Sequence, residues 1–392
     1  MASCDINANA SEERMPKRRK TSTKTCIKCK QDNGCLVLRG LVYCRKCTQA
    51  LVTQKFKRVI DEVIDPHEAS DAVLAIGYSG GLGSSLILHL VAQSLCPSTR
   101  RTRRHTWDRI HVVYIDQDVV SGYIDHKVEL KDIESVVAKY PHFHLTKVPL
   151  EKCFEGDLYS DPPRESLLSY LGGLPTRSAI NESIQIMTRR LLERTAKSLD
   201  VSHLLLGRSL SSVSIALLSS ICSGRGSTIG EERQSSQEGV VSLNPLRELG
   251  SKECAACVWW YSLNVISSPI LHLESGGSTA SISRLTRAFL SGIEKDYPST
   301  VFTIAKTCAK VVPKENNMGI CALCFRNAPT SEEQFGASSV ISASSQDLED
   351  SSLRLCYACK TLLTSGNSRS TSSMNTSPLP LPIWGMSTPN TH

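Results

Sequence analysis

Residues 72–90 read AVLAIGYSGGLGSSLILHL, and this stretch decides the fold. Ala72 to Tyr78 is an unbroken apolar run, the pattern of a strand buried on both faces. Ser79, Gly80 and Gly81 form a turn, after which apolar residues recur at helical spacing. A strand that turns directly into a helix aims free backbone N–H groups and the positive helix end at one spot. That spot suits a phosphate, and glycine permits its close approach. Gly80 and Gly81, with the hydroxyls of Ser79, Ser84 and Ser85, are therefore the candidate phosphate loop. The loop lacks the Gly-Lys-Ser/Thr ending of a Walker A motif and the Gly-x-Gly-x-x-Gly of a dinucleotide site.

Outward from this junction the pattern alternates. Strands are expected at 111–116, 143–150, 203–207 and 240–246, and helices at 51–66, 129–140, 177–199, 210–222 and 251–264. The alternation predicts an α/β class with a mainly parallel sheet covered on both faces. Residues 278–311 read as helical, and 227–239, STIGEERQSSQEG, as a mobile polar loop. The expected organisation is a basic disordered arm (1–24), an N-terminal zinc ribbon (25–50), the α/β domain (51–275), a helical segment (276–320), a C-terminal zinc-binding module (321–362) and a disordered Ser/Thr/Pro-rich tail (363–392).

The cysteines are unevenly placed. Of sixteen, eight form Cys-x-x-Cys pairs near the two ends of the chain. Cys26, Cys29, Cys44 and Cys47 have the spacing of a zinc ribbon, in which two knuckles bring four thiolates to a tetrahedral ion. Cys321, Cys324, Cys356 and Cys359 form a second candidate set across a Ser-rich insert, a loop whose closure costs little. Zinc is the expected ion; for the second set the spacing also admits an iron–sulfur cluster, or two unrelated knuckles. Cys254 and Cys257 fall in an apolar helical stretch and read as core. Cys153, after the third strand, would lie near the cleft.

Paired cysteines in a long chain whose start has no apolar stretch after its charges predict a reducing, cytoplasmic setting. No run of about eighteen apolar residues occurs, so no membrane partner is expected. The net charge of +7 fits a polyanionic partner. Its densest cluster, Arg100, Arg101, Arg103, Arg104, His105 and Arg109, reads either as an RNA-phosphate contact or as a solvated loop. Asp116 either contacts a ribose or caps a turn, and Arg247 either reaches a phosphate or pairs with Glu248.

Ser79-Gly80-Gly81-Leu82-Gly83-Ser84 resembles the Ser-Gly-Gly-x-Asp-Ser signature of PP-loop ATP pyrophosphatases, an adenine nucleotide alpha hydrolase-like fold. Gly83 stands where that family has Asp, a carboxylate that helps hold magnesium and phosphate. In Leu206-Gly207-Arg208-Ser209-Leu210-Ser211-Ser212, two serines replace the acids of the family's Gly-His-Asn-x-Asp-Asp-like motif, and Arg208 replaces its histidine. The regions that carry reactive cysteines in tRNA-thiolating members, LGGLPTRSA (171–179) and SSPILHLESGG (267–277), contain none. ATP chemistry is therefore doubtful, and no catalytic residue is assigned.

With the double Cys-x-x-Cys, LLLGRSLSSVSIALLSSICSGRG (204–226) and NPLRELGSKE (244–253), the ordered set is similar to the non-catalytic subunit family of the cytoplasmic tRNA 2-thiolation complex. The resemblance covers about residues 25–362. It implies a catalytic PP-loop subunit as heterodimer partner, tRNA as substrate and a thiocarboxylated ubiquitin-related modifier as sulfur carrier. It makes Arg101, Arg103, Arg104 and Arg208 candidate RNA contacts. Two other readings stand beside it: an active PP-loop enzyme using unfamiliar residues, and a zinc-ribbon nucleic-acid-binding protein without PP-loop ancestry.

Overall fold

The computed structural model describes residues 25–38, 40–64, 73–95, 107, 109–121, 129–155, 163–226, 229, 234–237, 239–266, 281–297, 299–308, 310, 318–329 and 355–364. The expectations for the N-terminal arm, for the basic run at 100–105 and for the C-terminal tail lie outside these residues.

A six-stranded sheet forms the centre. Its strands are β3 (Val73–Gly77), β4 (Ile110–Asp116), β5 (Phe143–Pro149), β6 (Val201–Leu206), β7 (Gln234–Gln237) and β8 (Val240–Leu243), in the order β5-β4-β3-β6-β8-β7. All neighbours are parallel except β7, which pairs antiparallel with β8. The order reverses direction between β3 and β6, so the switch point of the sheet lies where these two strands end. The expected parallel α/β architecture is what the chain adopts, and a zinc-ribbon protein lacking such a sheet is set aside with it.

Helices cover both faces because successive β–α crossovers carry the same hand. One face is packed by α1 (Arg45–Val63), α2 (Leu82–Leu95), α4 (Leu130–Val137) and α8 (Ser251–Trp260). The other is packed by α5 (Pro163–Gly173), α6 (Arg177–Ser198) and the 3₁₀ turn Leu150–Phe154. A short α3 (Asp118–Ser121) follows β4, and α7 (Leu210–Cys222) follows β6. α7 begins where Ser209 caps it: the Ser209 hydroxyl accepts from the Ser212 amide at 3.3 Å.

Several boundaries differ from the sequence expectations. α1 starts at Arg45, inside the second knuckle, because the Cys44 sulfur caps it by accepting from the Cys47 amide. Its stripe Val52, Phe56, Val59 and Ile60 then enters the core without a break. The segment read as a mobile loop contains β7, an edge strand of Gln and Ser paired on one side with β8. Residues 278–311 contain two helices, α9 (Ile282–Asp296) and α10 (Thr300–Cys308). Two hairpins flank the cysteine pairs: β1 (Leu36–Leu38) with β2 (Leu41–Tyr43) links Cys26 and Cys29 to Cys44 and Cys47, and β9 (Met318–Ile320) with β10 (Asn327–Pro329) carries Cys321 and Cys324 between its strands. α11 (Tyr357–Thr364) follows Cys356 and buries Leu362 in the second core.

Candidate functional site: a closed phosphate loop and two tetrathiolate centres

The Ser79–Ser85 loop sits at the carboxyl end of β3, at the switch point. Gly80 adopts φ +72°, a left-handed conformation that glycine accepts without strain. The hydroxyls of Ser84 and Ser85 are turned inward, while Ser79 is exposed. Ser84 Oγ donates to the Gly81 carbonyl at 2.9 Å and accepts from the Ser79 amide at 3.4 Å. Ser85 Oγ donates to the Asn264 carbonyl at 3.1 Å, and the Ile266 amide donates to the Gly80 carbonyl at 2.6 Å. The chain leaving α8 thus lies directly on the loop.

The decisive contact joins the loops after β3 and β6. A Cβ on Gly83 would meet the Gly207 carbonyl oxygen at 1.9 Å, and a Cβ on Gly207 would meet the Ser84 nitrogen at 2.4 Å. Backbone lies on backbone, so no carboxylate fits at Gly83 without moving a strand end. The serines of the second motif have structural work as well. Ser212 takes part in the α7 cap, and Ser211 Oγ accepts from the Ser251 amide at the start of α8. Asp116 caps a turn, its Oδ1 accepting from the Asp118 amide at 3.0 Å. Arg247 pairs with Glu62 of α1 at 2.9 Å, and Glu248 pairs with Arg58, which ties the segment after β8 to α1.

Cys26, Cys29, Cys44 and Cys47 form one group, and Cys321, Cys324, Cys356 and Cys359 a second; in each, all sulfurs lie within 4.8 Å of one another. The Cys29–Cys44 and Cys324–Cys356 separations are both 3.8 Å. A disulfide would be near 2.05 Å, whereas four sulfurs about 2.3 Å from one ion stand about 3.8 Å apart. Both groups therefore have the donor chemistry and the spacing to hold a metal ion such as zinc. Four thiols at this distance share their protons, so the first leaves readily and the last only against accumulated charge. Burial works to raise Cys26, but amides of Cys29, Cys44 and Lys28 outweigh it and bring it down to about 6. Cys47 is pushed up to about 12, chiefly by its hydrogen bond with Cys44. Hydrogen bonds with its three companions hold Cys321 low, while Cys324 is raised by Cys321 and Cys356. A divalent cation relieves this conflict.

Of the other described cysteines, Cys153, Cys254 and Cys257 are core, whereas Cys35 and Cys222 are exposed. Burial raises the thiols of Cys153, Cys254 and Cys257, the last to about 12. Cys153 is buried under α6, its sulfur 4.0 Å from the Met187 carbonyl. Arg208 lies elsewhere than the phosphate loop's interior. It lines a cleft between α6, α7, the start of α9 and the second cysteine group. Sequence reading missed this cleft, because its residues are scattered along the chain.

Fold and site define the class: a PP-loop-like α/β protein carrying a tetrathiolate centre at each end of its sequence. The U34-tRNA thiolase NcsA from Methanococcus maripaludis, solved with its 4Fe–4S cluster, has the same fold, with a TM-score of 0.53 at 15% identity over 77% of this chain and 91% of that one. The family model described as cytoplasmic tRNA 2-thiolation protein 2 matches residues 281–361. The Danio rerio protein of that name is 25% identical, with 74% of this chain and 67% of that protein covered. The Homo sapiens protein is 23% identical, with 85% and 78% covered. No helix among the described residues is long and apolar enough to cross a membrane.

Proposed function

We propose that the chain is the non-catalytic subunit of a cytoplasmic heterodimer that 2-thiolates the wobble uridine of tRNA(Lys), tRNA(Glu) and tRNA(Gln). Its partner would be a catalytic PP-loop subunit, and the sulfur would come from a thiocarboxylated ubiquitin-related modifier, which also connects the complex to protein urmylation. The fold and the relatives named above support tRNA thiolation as the setting. One observation carries the non-catalytic assignment: the Gly83–Gly207 backbone contact fills the place where a metal-holding carboxylate would stand. Without that carboxylate, magnesium cannot be held beside the loop by this chain. The chain would instead enlarge the RNA surface and position the carrier. Zinc is the ion we assign to both tetrathiolate groups. It would order segments with little core of their own.

Two experiments test the reading. Purified chain incubated with ATP and tRNA should release neither AMP nor pyrophosphate. Cells lacking the chain should lose wobble thiolation although the partner's active site is intact, and affinity purification should recover that partner. Persistent thiolation in such cells would end the obligate-subunit reading.

A further inference from the structure

A cavity of about 350 Å³ lies between α7, α10 and the segment after β8. Its walls are apolar. Leu210, Val213 and Leu217 of α7 are buried, and Phe302 and Ala305 of α10 are half-buried against them. Its rim is cationic. Lys306 of α10 and Lys310 just beyond it both line the cavity and are exposed, and neither side chain has an ion pair or hydrogen bond among the described residues. The Lys310 amide donates to the Thr307 carbonyl at 3.0 Å, so the chain keeps turning past Cys308 and sets the two lysines about one turn apart. The other charged lining residues are engaged: Arg247 pairs with Glu62 at 2.9 Å, and Glu248 pairs with Arg58. Leu210 opens α7 after β6 and Arg247 follows β8, so the cavity stands at the carboxyl edge of the sheet, where ligands gather in open α/β folds.

We infer that this cavity receives one unstacked nucleotide of single-stranded RNA, with its base against the α7–α10 wall and its flanking phosphates at Lys306 and Lys310. The inference rests on the proposed role in tRNA thiolation and gives the RNA a place on this chain outside the phosphate loop. Size, wall and rim each select this ligand. The volume falls within the roughly 300–1,000 Å³ of pockets that enclose small molecules, so a base with its ribose fits and a duplex does not. The faces of a base are apolar and pack between aliphatic and aromatic side chains. The phosphates stay in solvent, where lysines neutralise them and release counterions. Two lysines one turn apart on one wall suit a strand that carries a charge at every residue. Because Arg247 and Glu248 already answer other side chains, the cavity offers contact area more than hydrogen-bonding groups. It therefore selects an accessible, splayed-out base and not the identity of that base.

The test uses the full chain and a short fluorescein-labelled oligouridylate, with anisotropy read across a salt series. Lys306→Gln combined with Lys310→Gln should weaken binding about tenfold and flatten the logarithmic salt slope by about 1.4, two phosphates at about 0.7 each. Ala305→Leu fills the cavity without changing charge. It should weaken binding about tenfold and leave the slope unchanged, since a stacked base is lost and no phosphate. Lys131→Gln combined with Lys139→Gln removes two exposed charges at α4 and should change neither quantity. Metal content and thermal midpoint check that each variant folds. A readout that needs no variant is photocrosslinking: the same oligonucleotide carrying 4-thiouridine should attach to α7 or α10. Equal weakening by the α4 pair would overturn the site, since binding would then be diffuse. So would unchanged affinity in folded Ala305→Leu, crosslinks confined to other segments, or equal competition by a fully paired RNA hairpin. Loss of the partner subunit from Ala305→Leu with RNA binding unchanged would assign the cavity to a protein and overturn the inference. These failures are distinct from failure of the broader reading, which shows as wobble thiolation persisting in cells without the chain.

Discussion

Gly83 and Gly207 meet through their backbones at the switch point of the sheet, with 1.9 Å between a Cβ on Gly83 and the Gly207 carbonyl oxygen. The obstacle is main chain on both sides, so no flexible side chain can swing away. Gly83→Ala should cost about 1–3 kcal/mol or more, the range of overpacking a close-packed region. Urea unfolding checks this. Gly83→Asp should be at least as destabilising and should not confer ATP cleavage to AMP and pyrophosphate. A folded Gly83→Asp protein that cleaved ATP would show that the loop needs only its carboxylate.

The two tetrathiolate groups predict two zinc ions per chain by elemental analysis. Cys29→Ser or Cys356→Ser should each lower the content by about one ion. Ion binding at such sites is folding energy, on the order of 10–16 kcal/mol for small zinc modules. Chelation should therefore lower the thermal midpoint and unlock β1–β2 and β9–β10 to proteolysis. A single ion per chain, or iron in place of zinc, would sink the assignment for one group.

Glu193 is 4% exposed and answers two arginines at once. Removing the carboxylate takes one partner from each arginine, and breaking a buried pair costs about 3–5 kcal/mol. Glu193→Ala should show that loss in urea. It should also speed chelator access to the second tetrathiolate group, because Arg190 carries the contact with Phe325 of its first knuckle. Glu193→Gln, which keeps an acceptor, should lose less. Equal effects from both variants would mean that packing, not charge, dominates at this position.

What the sequence revealed follows the kind of force that holds each part. β3, β4 and β6 are largely buried on both faces, and the apolar runs VLAIG, VVYI and LLL within them are visible by eye. α7 is bounded as expected because Ser209 is a strong cap. β7 was invisible because backbone pairing with β8 holds it, and backbone pairing leaves no trace in side-chain type. The metal-ligand groups were legible because knuckle spacing is local. The arginine cleft was not. The densest basic run along the chain is 100–104, while the fold gathers Arg189, Arg208, Arg225, Arg287 and Arg326 from well-separated segments. The Gly83–Gly207 contact was half legible: the missing carboxylate could be read, but the carbonyl that takes its room could not.

His89 provides a pH signature. It lies on α2 with its ring 4.2 Å from that of Tyr261, and burial lowers its pKa below the usual 6.5. Burial acts in the same direction on His111, helped by the charges of His144 and Arg109. The unfolded chain therefore binds protons at these sites before the folded chain does. Their contribution to stability is complete above about pH 6.5 and is lost as pH falls through the lowered folded-state values. Thiolate protonation and metal release act over an overlapping range, so the measurement must separate the two. Comparing the native chain with His89→Phe does so, since Phe keeps a ring against Tyr261 and leaves both metal groups intact. The difference in unfolding free energy between the two proteins should change between about pH 7 and 5, with the native chain losing more. A difference that stayed flat across that range would mean that His89 titrates alike in the folded and unfolded chain, and that its ring is better hydrated than its packing implies.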